Sequence, residues 1–177
     1  MKWILIIAFT LVAIVSVAAL AGSRLPRDHL ATVRATYRAA PESVWAVIGD
    51  PAATTTWRKD LKSVELLASV EGRTAWREES GSGKVSYVMA EWDPPRRMTT
   101  RITSDDLPYG GQWEFTLAPA GSGTLLTITE RGFVKPALFR FMARTFFGFT
   151  STLEGYHRAL GAKLGETATP EVVASGR

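Results

Sequence analysis

An α+β domain behind a single N-terminal membrane-inserting helix is the fold class this sequence predicts, and three features carry it. An uncharged run extends from Trp3 to Ala21. Six short strand-like segments, split by turn residues, lie between Leu61 and Phe133. An apolar stripe stepping by three or four residues closes the chain from Leu138 to Leu164. With one strand and two short helices before the meander, the expectation is about seven antiparallel strands, strongly bent around one long C-terminal helix.

The leader comes first. Between Trp3 and Ala21 only Thr10 and Ser16 are polar. As a helix this run spans ~28 Å, close to the ~30 Å hydrocarbon core of a bilayer. Its length favours a retained single-pass anchor over a signal peptide, whose apolar region is usually about 7–15 residues. The alternative is cleavage near Ala21, because Ala19-Leu20-Ala21 has the small-x-small pattern of a processing site. Because the segment also passes as an export signal, the domain is expected outside the cytoplasm. The charges flanking the run, Lys2 on one side and Arg24 and Arg27 on the other, are nearly balanced. Residues 1–22 are thus the anchor or signal segment, and 23–28 a linker in which Pro26 opposes helix continuation.

The domain is expected over residues 29–165. His29 to Arg38 alternates as a first strand. Ala40-Pro41-Glu42-Ser43 opens a short helix with proline at an early position. A second short helix runs from Pro51 to about Trp57. Strands then follow at 61–69, 73–79, 84–92, 98–104, 112–117 and 124–133, with 105–111 as a loop. The short connections imply an antiparallel meander. The long final helix, bent at Gly148, is the only element able to cover the apolar face of the sheet. A bent sheet wrapped around a helix encloses a cavity where its ends splay. Residues 166–177 lack periodicity and are expected to be a disordered tail.

Composition narrows the chemistry. Six Trp and eight Phe supply a large core or an aromatic-lined cavity. The absence of Cys removes disulfides, thiolate metal sites and a thiol nucleophile. A net charge of +4 with interleaved signs lacks the dense basic stripe that nucleic-acid binding needs. No nucleophile elbow, phosphate loop or HExxH motif is present, and the chain calls for no cofactor and no metal.

Four pieces of sequence, in order, now add to this picture. They are Ala40-Pro41-Glu42-Ser43-Val44-Trp45 with the later Trp57, Glu91-Trp92-Asp93-Pro94-Pro95-Arg96-Arg97, Gly110-Gly111-Gln112-Trp113-Glu114-Phe115, and Thr124-Leu125-Leu126-Thr127-Ile128-Thr129-Glu130. Together they resemble the START-related polyketide cyclase/dehydrase and lipid-transport superfamily (SRPBCC), from His29 to Leu164. The resemblance implies a helix-grip fold and a cavity for a hydrophobic ligand. It implies no single activity, because members carry, transfer, sense or alter very different ligands.

Candidate cavity residues follow from which positions share a strand or helix face. Trp45 and Trp57 come from the short helices, and Trp76, Tyr87 and Met89 from the meander. Trp113 and Phe115 share one strand face, and Ile128 and Glu130 another. Met142, Phe146, Phe149 and Leu153 come from the final helix. Glu130 is the one candidate acid or base, with Tyr87 or His157 as its partner. The plainer alternative pairs Glu130 with an arginine at the rim. Three functions are consistent with these residues: a membrane-associated carrier or sensor of a lipid, polyketide or terpenoid-like ligand, a cyclase, dehydratase or hydrolase, and an interaction module with a filled core. The first is preferred, because the residues show no catalytic set.

Overall fold

The computed structural model describes residues 1–176, and the backbone alone at Phe147. Helix α1 spans Lys2–Ser23 and β1 spans Asp28–Tyr37. Helix α2 (Pro41–Ile48) and a 3-10 turn (Pro51–Thr56) follow. The meander is β2 (Leu61–Val70), β3 (Arg73–Ser80), β4 (Gly83–Asp93), β5 (Arg97–Ile102), β6 (Tyr109–Ala120) and β7 (Gly123–Val134). Helix α3 (Ala137–Met142), a π turn (Ala143–Phe147), α4 (Ser151–Lys163) and β8 (Glu171–Gly176) complete the chain.

All strands lie in one antiparallel sheet of order β2-β3-β4-β5-β6-β7-β1-β8. The first strand closes onto the last strand of the meander, from Asp28 opposite Phe133 to Tyr37 opposite Thr124. Along β1, Ala31, Val33, Ala35 and Tyr37 are buried, as a period of two requires when one face meets the core. They meet Leu126 and Ile128 of β7 and Leu153 and Leu160 of α4 in one core cluster. Helix α1 exposes its apolar side chains along nearly its whole length; only Gly22 is buried.

Three expectations are corrected. The final helix is not continuous. Ala143–Phe147 widens into a π turn, and Gly148, at φ 69°, takes a backbone conformation that ends the helix rather than bending it. The tail is not disordered over its described part: Glu171–Gly176 pairs with β1 as an eighth strand. Arg177, the last residue of that tail, lies outside the described residues. Strand β6 begins at Tyr109, inside the expected loop, because Tyr109 and Gly110 already pair with Val134 and Phe133 of β7.

Candidate functional site

Between the concave face of the sheet and the helices lies a cavity of about 1060 Å³, open at its rim. The interior is therefore not filled. Its aromatic wall is built around Tyr156 of α4. The Trp57 ring meets Tyr156 edge-on at 5.1 Å, Trp113 does so at 5.7 Å, and Phe115 lies tilted at 5.6 Å. On the neighbouring strands Trp76 stacks on Tyr87 at 5.5 Å, a direct cross-strand pair. Met89 and Met98 add polarizable apolar surface.

Polar groups gather at two places in this wall. At the first, Arg58 donates to Glu78 Oε2 at 3.0 Å and to Asp60 Oδ2 at 2.6 Å. Trp76 Nε1 donates to the other Glu78 oxygen at 3.2 Å. The Arg58 guanidinium also lies 5.7 Å from the Tyr156 ring centre, in cation–π geometry. Burial works against the Arg58 charge. The Asp60 hydrogen bond and the Glu78 and Asp60 charges outweigh it and hold the guanidinium above its ordinary value. Asp60 is lowered in return, Arg58 overcoming a burial effect of opposite sign. Arg58 and Glu78 are nearly buried, so this pair is a tie that removal of either partner would break at a cost.

At the second place, His29 Nε2 and Glu130 Oε1 are 3.0 Å apart. The His29 ring stacks on Phe149 at 4.2 Å, and its Nδ1 is buried with no hydrogen-bond partner among the described residues. Gly132 makes this pair possible. A Cβ there would lie 2.4 Å from His29 Cε1 and 3.1 Å from Glu130 Oε1. The partner of Glu130 is thus a histidine from β1 and not a rim arginine.

Tyr87 and Tyr156 both line the cavity. Burial, with the Glu78 charge adding to it and Arg58 opposing, raises both phenols above their ordinary value. They are protonated hydrogen-bond donors throughout the physiological range.

Of the residues singled out from sequence, Trp57, Trp76, Tyr87, Met89, Trp113, Phe115, Glu130 and Phe149 line the cavity. Trp45 does not; it packs against Trp92 at 4.8 Å. Ile128 and Leu153 are fully buried in the core behind the wall. Met142 lies outside the wall, and Phe146 points to the surface, 70% exposed. His157, offered as a partner for Glu130, does not line the cavity. It is fully buried between α4 and β1, where Nδ1 lies 2.8 Å from the Tyr37 hydroxyl and Nε2 3.2 Å from the Val33 carbonyl. It cannot serve Glu130. Arg101 is exposed.

Sequence reasoning passed over Tyr156, Arg58, Glu78 and His29 as wall residues. A usable signal existed for two of them. Glu78 shares its strand face with Trp76, and Arg58 directly follows Trp57. Nothing local distinguishes Tyr156 or His29 from core positions.

An aromatic-walled cavity between a bent antiparallel sheet and a C-terminal helix defines a helix-grip ligand-binding domain. The family model described as polyketide cyclase / dehydrase and lipid transport matches residues 28–163, and the chain belongs to that family. No curated protein matches the sequence closely enough to count as a relative. Among solved structures, a START superfamily protein from Mycobacterium smegmatis is 20% identical, with a TM-score of 0.60 over 77% of this chain and 97% of that one. Norcoclaurine synthase from Thalictrum flavum is 12% identical, with a TM-score of 0.61 over 83% and 91%. The di-domain ARO/CYC StfQ from the steffimycin biosynthetic pathway is 11% identical, with a TM-score of 0.63 over 77% of this chain and 50% of that one. At these identities the likeness is one of fold.

Proposed function

We propose that this protein is a membrane-anchored binding or carrier protein for an apolar small molecule bearing a few oxygen functions, of the lipid, polyketide or terpenoid kind. The observation that carries this is the cavity of about 1060 Å³ with its aromatic wall. Ligand sites typically enclose ~300–1,000 Å³, mostly apolar with a few placed polar groups. The Tyr87 and Tyr156 hydroxyls are the donors for ligand oxygens. The rings of Trp57, Trp113 and Phe115 supply the apolar contact. Helix α1 has the length and composition of a membrane span, which suits a ligand that partitions into lipid. The domain is assigned to the extracytoplasmic side, with release by cleavage near Ala21 as the alternative.

Native mass spectrometry of the full chain, extracted from its own membrane in mild detergent, tests this. The expected result is the intact chain mass plus a reproducible bound mass that disappears in Trp113→Ala. A chain that is clean in every preparation overturns the carrier reading. A mass beginning at Gly22 overturns the retained anchor.

One observation favours a second reading. Glu130 and His29 form a carboxylate–imidazole pair within hydrogen-bond reach in the cavity wall, the arrangement that proton transfer requires. On this reading the chain is a cyclase, dehydratase or hydrolase, and Glu130→Gln abolishes turnover while the bound mass persists.

A further inference from the structure

The C-terminal end of α1 is built into the domain. Gly22 is buried against α3, where an added Cβ would lie 1.9 Å from the Ala137 carbonyl oxygen. Arg140 completes the joint. It is only 8% exposed, and its Nε donates to Gly22 O at 3.0 Å. Its Nη1 donates to Val134 O at 3.3 Å and to Lys135 O at 2.6 Å. One guanidinium therefore ties a late carbonyl of α1, which also accepts from Leu25 N at 3.2 Å, to the start of the α3 segment.

This joint fixes depth. Helix α1 has 22 residues, so it spans ~33 Å, and its end emerges at the edge of a ~30 Å hydrocarbon core. Whatever is held to Gly22 sits at the headgroup boundary. The segment held there presents Phe139 at 48% exposure and Phe146 at 70%. Arg24, Arg27 and Arg144 are exposed around it and form no ion pair among the described residues. Protruding phenylalanines among unpaired arginines match the chemistry of an anionic bilayer surface. The same segment is cavity wall: Phe139, Ala143, Gly148 and Phe149 all line the cavity.

We infer that residues 137–149 form a docking surface for the anionic bilayer in which α1 resides. Phe139 and Phe146 insert into the headgroup boundary, so the side of the cavity lined by Phe139 and Phe149 faces lipid. The inference rests on the membrane-anchored reading above and adds where the ligand enters and what holds the entrance in place.

The chain contains no cysteine, so single reporters can be placed cleanly. Phe146→Cys, Val12→Cys in α1, and Leu66→Cys on β2, at the far edge of the sheet, would each carry an environment-sensitive fluorophore. Each full-length chain is reconstituted in phosphatidylcholine–phosphatidylglycerol vesicles containing spin-labelled phospholipid. The label at 146 should lose roughly half its emission, as expected for a group ~5–10 Å into the boundary, and the label at 66 should lose none. Arg140→Ala should release the label at 146 from quenching while Val12 stays quenched. Arg140→Lys, which keeps the charge but not the fork of donors, should give an intermediate loss if the alanine variant does not fold. Quenching at 12 without quenching at 146 overturns the docking surface and leaves the anchor standing. Quenching at neither position overturns both. Quenching at 146 that survives both Arg140 variants overturns the role of the joint.

Discussion

The molecule holds two histidines, and their surroundings differ in kind. His157 is fully buried and has a partner on each ring nitrogen. The Val33 carbonyl can only accept, so Nε2 carries the proton and Nδ1 accepts from the Tyr37 hydroxyl. His29 is also buried, but one of its nitrogens has no partner, and its other neighbours are a carboxylate and a phenyl ring in the cavity wall. A fully satisfied polar group in a core acts as a structural tie. An incompletely satisfied one in the wall of a large cavity keeps a hydrogen-bonding position open to a further group. The same residue type is therefore a fully satisfied core group in one half of the domain and a partly satisfied cavity-wall group in the other.

The largest effect that would test this contrast is the loss of His157. His157→Ala deletes a buried ring and removes its bonds to Val33 O and to Tyr37 Oη, the hydroxyl keeping only the backbone carbonyl of residue 157, which should cost roughly 3–5 kcal/mol. His29→Ala should cost only about 1–2 kcal/mol. Chemical denaturation of the full chain in detergent measures both, and equal costs would collapse the distinction. Acid gives the next largest effect. Burial depresses His157 from 6.5 to about 4, the Val33 hydrogen bond opposing only in part. The unfolded chain therefore takes up this proton between those values and the native chain does not. Stability is whole above pH 6.5 and falls as the pH drops toward 4, by about 3 kcal/mol for this residue. A thermal melt at pH 7 and pH 5 should show a larger acid loss in the native sequence than in His157→Gln, which keeps a polar side chain but cannot titrate. Equal losses would remove His157 as the cause.

Much of this architecture is legible in the sequence, and the exceptions share a physical cause. Strands β1 to β7 declare themselves because each alternates or is bounded by turn residues, as at Glu71-Gly72 and Gly81-Ser82-Gly83. Strand β8 does not. Glu171, Val172 and Val173 are all exposed, so no alternation marks it. It is held by its backbone ladder to β1 and by Arg34, which grips both Glu171 oxygens at 2.9 and 3.0 Å. The break at Gly148 is hidden because the apolar spacing continues through it. Met142, Phe146, Phe149 and Leu153 read as one stripe, yet Met142 ends α3, Phe146 lies in the π turn, Phe149 in the link after Gly148 and Leu153 on α4. That is why Phe146 and Leu153, alike in pattern, end at the surface and in the core. Among the residues that line the cavity, strand parity picks out Trp76, Tyr87, Met89, Trp113, Phe115 and Glu130. It could not reveal the His29 partner of Glu130, which depends on the register of β1 against β7.

Smaller changes sharpen the contrast from the cavity side. Gly132→Ala places a methyl group where His29 and Glu130 meet. The ring must leave either Glu130 or Phe149, with an expected stability loss of about 1–3 kcal/mol from overpacking. Affinity for an apolar fluorescent reporter such as N-phenyl-1-naphthylamine should fall about tenfold, or about 1.4 kcal/mol. Reporter binding that is unchanged would detach this corner from the site. Glu130→Gln should do least of all. Glutamine keeps the size of the side chain and still offers an oxygen to His29 Nε2, and Glu130 is partly open to the cavity. The expected stability change is under about 1 kcal/mol, with reporter affinity held within about threefold. A loss above about 2 kcal/mol would show the pair to be a structural tie like that of His157. A small loss, with the pair still dispensable for binding, would leave its carboxylate free for the proton chemistry of the second functional reading, where turnover and not stability is the quantity it controls.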